Sequence, residues 1–186
     1  MRRRTLTIAA ATLVSIATLA ASSIAAGVVP AATLDDPTIV AIFDAANTAD
    51  IETGRLAAER GNSREVREFG AMLARDHEQV RAQGRALAAK LGVTPTPPAD
   101  DQGAKAHAAA MKRLRALEGA EFDRAFLQHE VAFHKSVIDA VQSTLLPAIR
   151  NAEVKALVVK VAPAFQAHMM AADHLGKQLE SRSAGH

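Results

Sequence analysis

Residues 121–146 read EFDRAFLQHEVAFHKSVIDAVQSTLL. Wound as a helix at about 100° per residue, the run gathers Phe122, Phe126, Leu127, Phe133, Val137, Ile138, Val141 and Leu145 onto one broad face. Asp123, Arg124, Lys135 and Asp139 stay off the centre of that face. Glu130 and His134 do not. They stand in the middle of the apolar stripe, four positions apart and therefore one turn apart on the same side. Burying a carboxylate and an imidazole against a core is costly unless partners face them. The stretch predicts a long core-facing helix and raises the question of what the rest of the chain sets opposite those two groups.

Three more such helices are predicted. Asp36-Pro37 opens the first, with Asp36 as N-cap and Pro37 at the first helical position, and Gly61-Asn62 closes it. Its stripe is Ile39, Ile42, Phe43, Ala46 and Ala57, with Asp50 in the middle. Asn62 caps the second, Glu65 completes a capping box, and Gly92 stops the helix after Leu91. Its stripe of Val66, Phe69, Leu73, Val80, Leu87 and Leu91 is interrupted by His77, with Asp76 flanking the same face.

Pro95, Pro97 and Pro98 make 93–101 a loop, and a short helix over 102–117 follows until Gly119 breaks it. This crossover is far longer than a tight helix–helix turn. Asn151 caps the last helix, whose stripe of Val154, Leu157, Val161, Phe165, Ala172, Leu175 and Leu179 contains His168. Pro163 removes a backbone hydrogen bond there and predicts a kink about one turn before His168. Helices near 37–60, 63–91, 120–146 and 152–180, with short links within each pair and one long crossover, describe an all-α, ferritin-like four-helix bundle. The bundle is expected to be a monomer over 37–180 with a disordered tail at 181–186.

The chain has no Cys, Trp or Tyr. Without Cys it has no disulfide and no thiolate metal site, so any metal would be held by His and carboxylates. Residues 2–4 are three arginines, 5–21 are free of charge and mostly apolar, and Ser23-Ile24-Ala25 places small residues for cleavage. This pattern predicts a secretory signal over 1–25, followed by a tether over 26–36, and a periplasmic location. The other reading of the apolar run is a permanent anchor, for which its length is near the lower limit. Arg3-Arg4 weakly matches a twin-arginine signal. Without those three arginines the chain carries 19 basic and 20 acidic residues, which removes any case for nucleic-acid binding. No stable membrane span is expected after signal removal.

Polar residues at mid-stripe are therefore Asp50, Asp76, His77, Glu130, His134 and His168. Each lies near the middle of its helix, so four helices can bring them to one layer. Three imidazoles and up to three carboxylates suit Fe, Mn, Zn or Cu. The same set also suits a hydrogen-bonded structural network. Di-iron bundles carry Glu-x-x-His on two helices. That motif is absent, which favours a mononuclear or asymmetric site. His107 and His129 fall off the stripes, His174 points away, and Met169-Met170 reads as packing. No nucleophile–base pair and no phosphate loop is present, so no catalytic residue is assigned. Three functions stay open: metal handling or redox, a non-enzymatic envelope protein with a buried polar layer, and a partner-binding bundle that uses its charged faces.

Three runs carry a resemblance: ADIETGRLAAERGNSREVREFGAMLARDHEQV, GAEFDRAFLQHEVAFHKSVI and VAPAFQAHMMAADHL. Over about 37–179 the chain resembles a ferritin-like family of bacterial proteins of unknown function that carry an outer-membrane label. The family pattern places an acid-Ile-x-x-Gly on the first helix, Asp-His on the second, His on the third, and Pro then His on the fourth. The matching positions are Asp50, Asp76-His77, His134, and Pro163 with His168. Two positions depart from it. The first-helix acid is usually Glu and is Asp50 here, and Glu130 stands where an apolar residue is common, which makes Glu130 a candidate substitute. The resemblance implies a helical fold and an envelope location, with no established activity. The outer-membrane label fits poorly with a helical bundle that lacks a β-barrel pattern.

Overall fold

A computed structural model describes residues 34–184, and every regular element among them is helical. Helix α1 is Asp36–Arg60, α2 is Arg64–Leu91 and α3 is Gln102–Arg115. Helix α4 is Gly119–Ala140; it continues through a π-turn at Val141–Leu145 into a last turn at Leu146–Ala148. Helix α5 is Ala152–Ala184 and runs through Pro163. The signal expected over 1–25, and the tether up to residue 33, lie outside the described residues.

Cross-helix contacts give the chain directions. Arg85 pairs with Asp44 and Arg55 with Glu78, so α1 and α2 are antiparallel. Glu65 meets Arg182 and Gln83 meets Lys160, so α2 and α5 are antiparallel. Asn62 and Ser63 meet Asp123 while Asp50 faces His134, so α1 and α4 are antiparallel. Helices α4 and α5 also run antiparallel, with Leu127 beside Gly176 and His134 beside His168. It follows that α2 and α4 run parallel, and the crossover carrying α3 spans the distance between their ends.

The interior has three zones. At one end Ala57, Val66, Phe69, Leu73, Phe122, Phe126 and Leu175 form an apolar cluster. At the other, Ile39, Val40, Ala88, Leu145, Val154 and Val158 form a second. Between them lie the buried polar residues Asn47, Asp50, His77, Glu130, His134 and His168.

Several expected ends shift by a residue, each for a visible reason. Asp35, not Asp36, is the N-cap of α1: its Oδ1 accepts from the Thr38 N–H at 2.9 Å. Asp36 instead accepts the N–H groups of Arg150 and Asn151, both at 3.0 Å, and so ties down the turn before α5. Ser63, not Asn62, caps α2 by accepting from the Val66 N–H. Asp123, expected off the centre of its face, is buried; its two oxygens accept the Asn62 and Ser63 N–H groups at 2.7 and 2.8 Å. The tail expected to be disordered from 181 is helical to Ala184. Asn151 caps the last helix as expected, and Gly92 ends α2 in the left-handed region. The π-turn has a local cause. Pro147 has no N–H for a partner four residues back and crowds that carbonyl, so the preceding turn opens wider.

Helices α1 and α2 meet backbone to backbone at Gly54 and Gly70. A Cβ on Gly70 would stand 2.6 Å from the Gly54 carbonyl oxygen and 2.7 Å from the Ala57 Cβ. Gly70→Ala is therefore expected to destabilise by about 1–3 kcal/mol through forced separation of the helices. Gly176→Ala, whose nearest neighbour would be Leu127 Cβ at 4.0 Å, is expected to be neutral or to stabilise by up to about 1 kcal/mol. Denaturant melts of both variants check this contrast, and equal effects would contradict it.

Candidate metal centre

The polar layer is assembled from one or two residues on each long helix. Helix α1 supplies Asn47 and Asp50, α2 supplies Asp76 and His77, α4 supplies Glu130 and His134, and α5 supplies His168. Ligand-capable atoms of His77, His134 and His168 all lie within 4.8 Å of one another, and so do those of Asp50, Glu130 and His134. Five of the six residues expected at the site, His77, His134, His168, Asp50 and Glu130, come together in these two groups. Asp76 is in neither group: it meets His168 Nε2 from outside, with its side chain 47% accessible at the rim.

Outer partners decide how each imidazole is protonated. Asn47 donates its side-chain N–H to the Phe43 carbonyl at 2.8 Å, which leaves its Oδ1 facing His77 Nδ1 at 3.0 Å. That oxygen can only accept, so His77 carries its proton on Nδ1 and turns the Nε2 lone pair inward. His134 Nδ1 likewise donates to the Glu130 backbone carbonyl at 3.0 Å, and its Nε2 is left bare and without a partner. His168 Nε2 meets the Asp76 carboxylate at 3.1 Å. A neutral His168 that donates there presents an unprotonated Nδ1 to His77 Nε2, 3.2 Å away. Two lone pairs that face each other at this distance repel unless a cation lies between them. Imidazoles held from outside by carboxylates, amides or carbonyls are the usual arrangement around a bound metal.

The carboxylates repeat the pattern. Asp50 Oδ2 lies 3.5 Å from His77 Nε2 and Oδ1 lies 3.9 Å from His134 Nε2. Both oxygens of Asp50 and both of Glu130 are buried without a hydrogen-bond partner. Burial raises Asp50 well above the usual carboxylate range, and the neighbouring Glu130 adds to the rise through its charge and through a side-chain contact that is not a well-aligned hydrogen bond. Burial lifts Glu130 to about 7; Thr53 and Asp50 pull it partway back without a well-aligned bond to it. Burial first, then the neighbouring His134 and His168, press His77 down to about 3, and burial takes His134 down to about 4. The centre thus holds imidazoles that resist protonation beside carboxyls that resist ionisation. A divalent cation would relieve both.

Asn47 and Phe165 belong to the site and were missed. Asn47 lies three residues before Asp50 on the same stripe, so the mid-stripe test that found Asp50 applies to it equally. Phe165 looks like ordinary core in the sequence, yet its ring packs edge-on against His77, with centroids 5.1 Å apart, and lies 5.9 Å from His134. His107, left out on sequence grounds, bonds Glu52 at 2.8 Å and stays out of the cluster. Among the described residues, His129 makes no contact with the three central imidazoles beyond a weak electrostatic one with His134.

Residues 21–175 match a family model described as "Domain of unknown function (DUF4142)", and the chain belongs to that family. A comparison with curated proteins returned no match. Among solved structures, the crystal structure of a DUF305 fragment from Deinococcus radiodurans aligns with a TM-score of 0.67 at 18% identity, covering 76% of this chain and 95% of that one. At that identity the likeness is one of fold alone.

The shifts predict a pH dependence for metal-free protein. Carboxyls raised in the folded state contribute stability that is full below the unfolded value near 4.5 and is lost as pH rises through about 7. Depressed histidines act oppositely: their contribution is full above 6.5 and is lost as pH falls toward about 4 and about 3. The two slopes oppose one another below 6.5, and only the carboxyl slope continues above it. In chelator, Tm is expected to fall from pH 6.5 to 8, and Glu130→Gln is expected to flatten that fall. An unchanged slope in the variant would show that Glu130 is not the group responsible.

Proposed function

We propose that this DUF4142 protein is an exported ferritin-like bundle that binds one transition-metal ion in its core. The observation that carries the reading is the set of five buried side-chain atoms without partners, Asp50 Oδ1 and Oδ2, Glu130 Oε1 and Oε2, and His134 Nε2, gathered beside the inward lone pairs of His77 and His168. A purely structural network would satisfy such atoms. Support for the ferritin-like topology comes from the helix directions: antiparallel pairs, then a long crossover between the parallel α2 and α4.

His77 Nε2, His134 Nε2 and His168 Nδ1 would be the nitrogen ligands, with Asp50 as the carboxylate and Glu130 as its neighbour or substitute. Asp76 would orient His168 from the rim. Ligand atoms about 3.4 Å apart surround a tetrahedral ion with bonds of about 2.1 Å. His77 and His168 lie 3.2 Å apart, His77 and Asp50 3.5 Å, and His134 and Asp50 3.9 Å, with the three imidazoles inside 4.8 Å of one another. Ionised Asp50 and Glu130 together balance a divalent charge, so loading releases protons. Fe, Mn, Zn and Cu all accept this donor set. The function drawn from it is metal handling or redox in the cell envelope.

Purified protein without an added His tag is expected to take up one ion per chain from Zn, Mn or Cu, or from Fe(II) under anaerobic conditions. An ion at about 100 times its Kd would raise stability by about 2.7 kcal/mol. His134→Ala is expected to abolish both uptake and the gain. If the layer is instead a structural network, the same variant loses about 1–3 kcal/mol with or without metal. One melting temperature in chelator and in all four metals would end the metal reading. For export, the first residue of the native protein is expected near Ala26, and a native chain that begins at Met1 would contradict it.

A further inference from the structure

An apolar pocket of about 260 Å³ opens between the second half of α4 and the Pro163 region of α5. Of its thirteen lining residues eleven are apolar; the other two are Gln142 and Gln166, and none is charged. Both walls depart from regular helix at this point. On α4 the π-turn contributes Val141 and Gln142, and on α5 Pro163 withholds an N–H from the Val159 carbonyl. π-Turns recur at functional sites. Val159, at the mouth, is one of two large apolar residues left exposed among the described residues.

The inner wall joins this pocket to the polar layer. Phe165 lines the pocket and also contacts the rings of His77 and His134. One aromatic side chain therefore separates an apolar space from two imidazoles. We propose that the pocket is an entry chamber for a small uncharged molecule, of the size and polarity of nitric oxide or dioxygen, which passes Phe165 to bind at the His77–His134–His168 centre. This rests on the metal reading. The chemistry selects such a ligand: a wall without charge gives an ion little compensation for lost water, and two glutamines offer a sugar few of the hydrogen bonds it would lose, while apolar cavities of about 150 Å³ already take up xenon.

Three measurements test it. Xenon is the probe for metal-free protein: xenon-pressurised crystals or xenon NMR are expected to place one atom against Phe165, and Ala162→Phe, which fills the pocket, is expected to expel it. Nitric oxide is the probe for protein loaded with Fe(II) under anaerobic conditions. Ala162→Phe is expected to slow nitrosyl formation at least about tenfold with Fe(II) stoichiometry unchanged, and Phe165→Leu, which also lowers Tm because the ring is buried, to speed it. Val137→Phe, filling the opposite wall, replaces Ala162→Phe if that variant fails to fold. Absence of xenon from the pocket overturns the proposal, and so do nitric oxide rates that ignore both walls. Failure to bind Fe(II) at all is read from stoichiometry before any gas is added and overturns this proposal; failure with Zn, Mn and Cu as well marks failure of the metal reading.

Discussion

Everything in the interior is arranged around three imidazoles whose outer nitrogens are already committed. Asn47 holds His77, the Glu130 carbonyl holds His134, and Asp76 holds His168. Each of these partners accepts; His134 Nε2 is left without a partner, and His77 Nε2 and His168 Nδ1 face one another at 3.2 Å. Asp50 and Glu130 then add oxygens that burial drives toward the protonated form. Such a layer is a poor way to stabilise a helical protein, since bare acceptors under an apolar roof have lost water and gained nothing. A bound cation would satisfy these groups.

The apolar ends make that layer tolerable. Phe69, Phe122 and Phe126 on one side, and Ile39, Val154 and Val158 on the other, bury the area that holds the helices together. Two aspartates fix how the helix pairs meet. Asp123 of α4 grips the link between α1 and α2, and Asp36 of α1 grips the turn that leads into α5. Each accepts a pair of backbone N–H groups, so each pins one end of the assembly. With both ends pinned, the middles of the helices stay in register, and Asp50, His77, Glu130, His134 and His168 share one level. The contact at Gly54 and Gly70 draws α1 against α2 and places Asp50 within reach of His77.

Much of this was readable before the structure. The stripes gave the helices and the crossover because apolar periodicity over twenty or more residues is hard to mistake. The polar interruptions gave the site because a charged group at mid-stripe must have a reason. What escaped depends on tertiary neighbours. Asp123 looked like a surface residue, since nothing local reveals that the α1–α2 link lies against it. Asp36 and Asn62 lost their capping roles to Asp35 and Ser63, one position away, where several capping residues in a row leave the local signal ambiguous. Asn47 was passed over because an amide draws less notice than a carboxylate. The π-turn followed from Pro147, but a proline near a helix end is more often a stop than a distortion of what precedes it. Phe165 has nothing in its sequence context to separate it from any other core aromatic.

The protonation pattern of the imidazoles is the foundation of the metal reading, and long-range proton–nitrogen NMR of the metal-free protein at pH 7 measures it directly. His77 and His134 are expected as neutral rings with the proton on Nδ1 and an unprotonated Nε2, and addition of Zn is expected to shift both Nε2 signals while leaving Nδ1 protonated. Rings protonated on Nε2, or signals that ignore zinc, would contradict it.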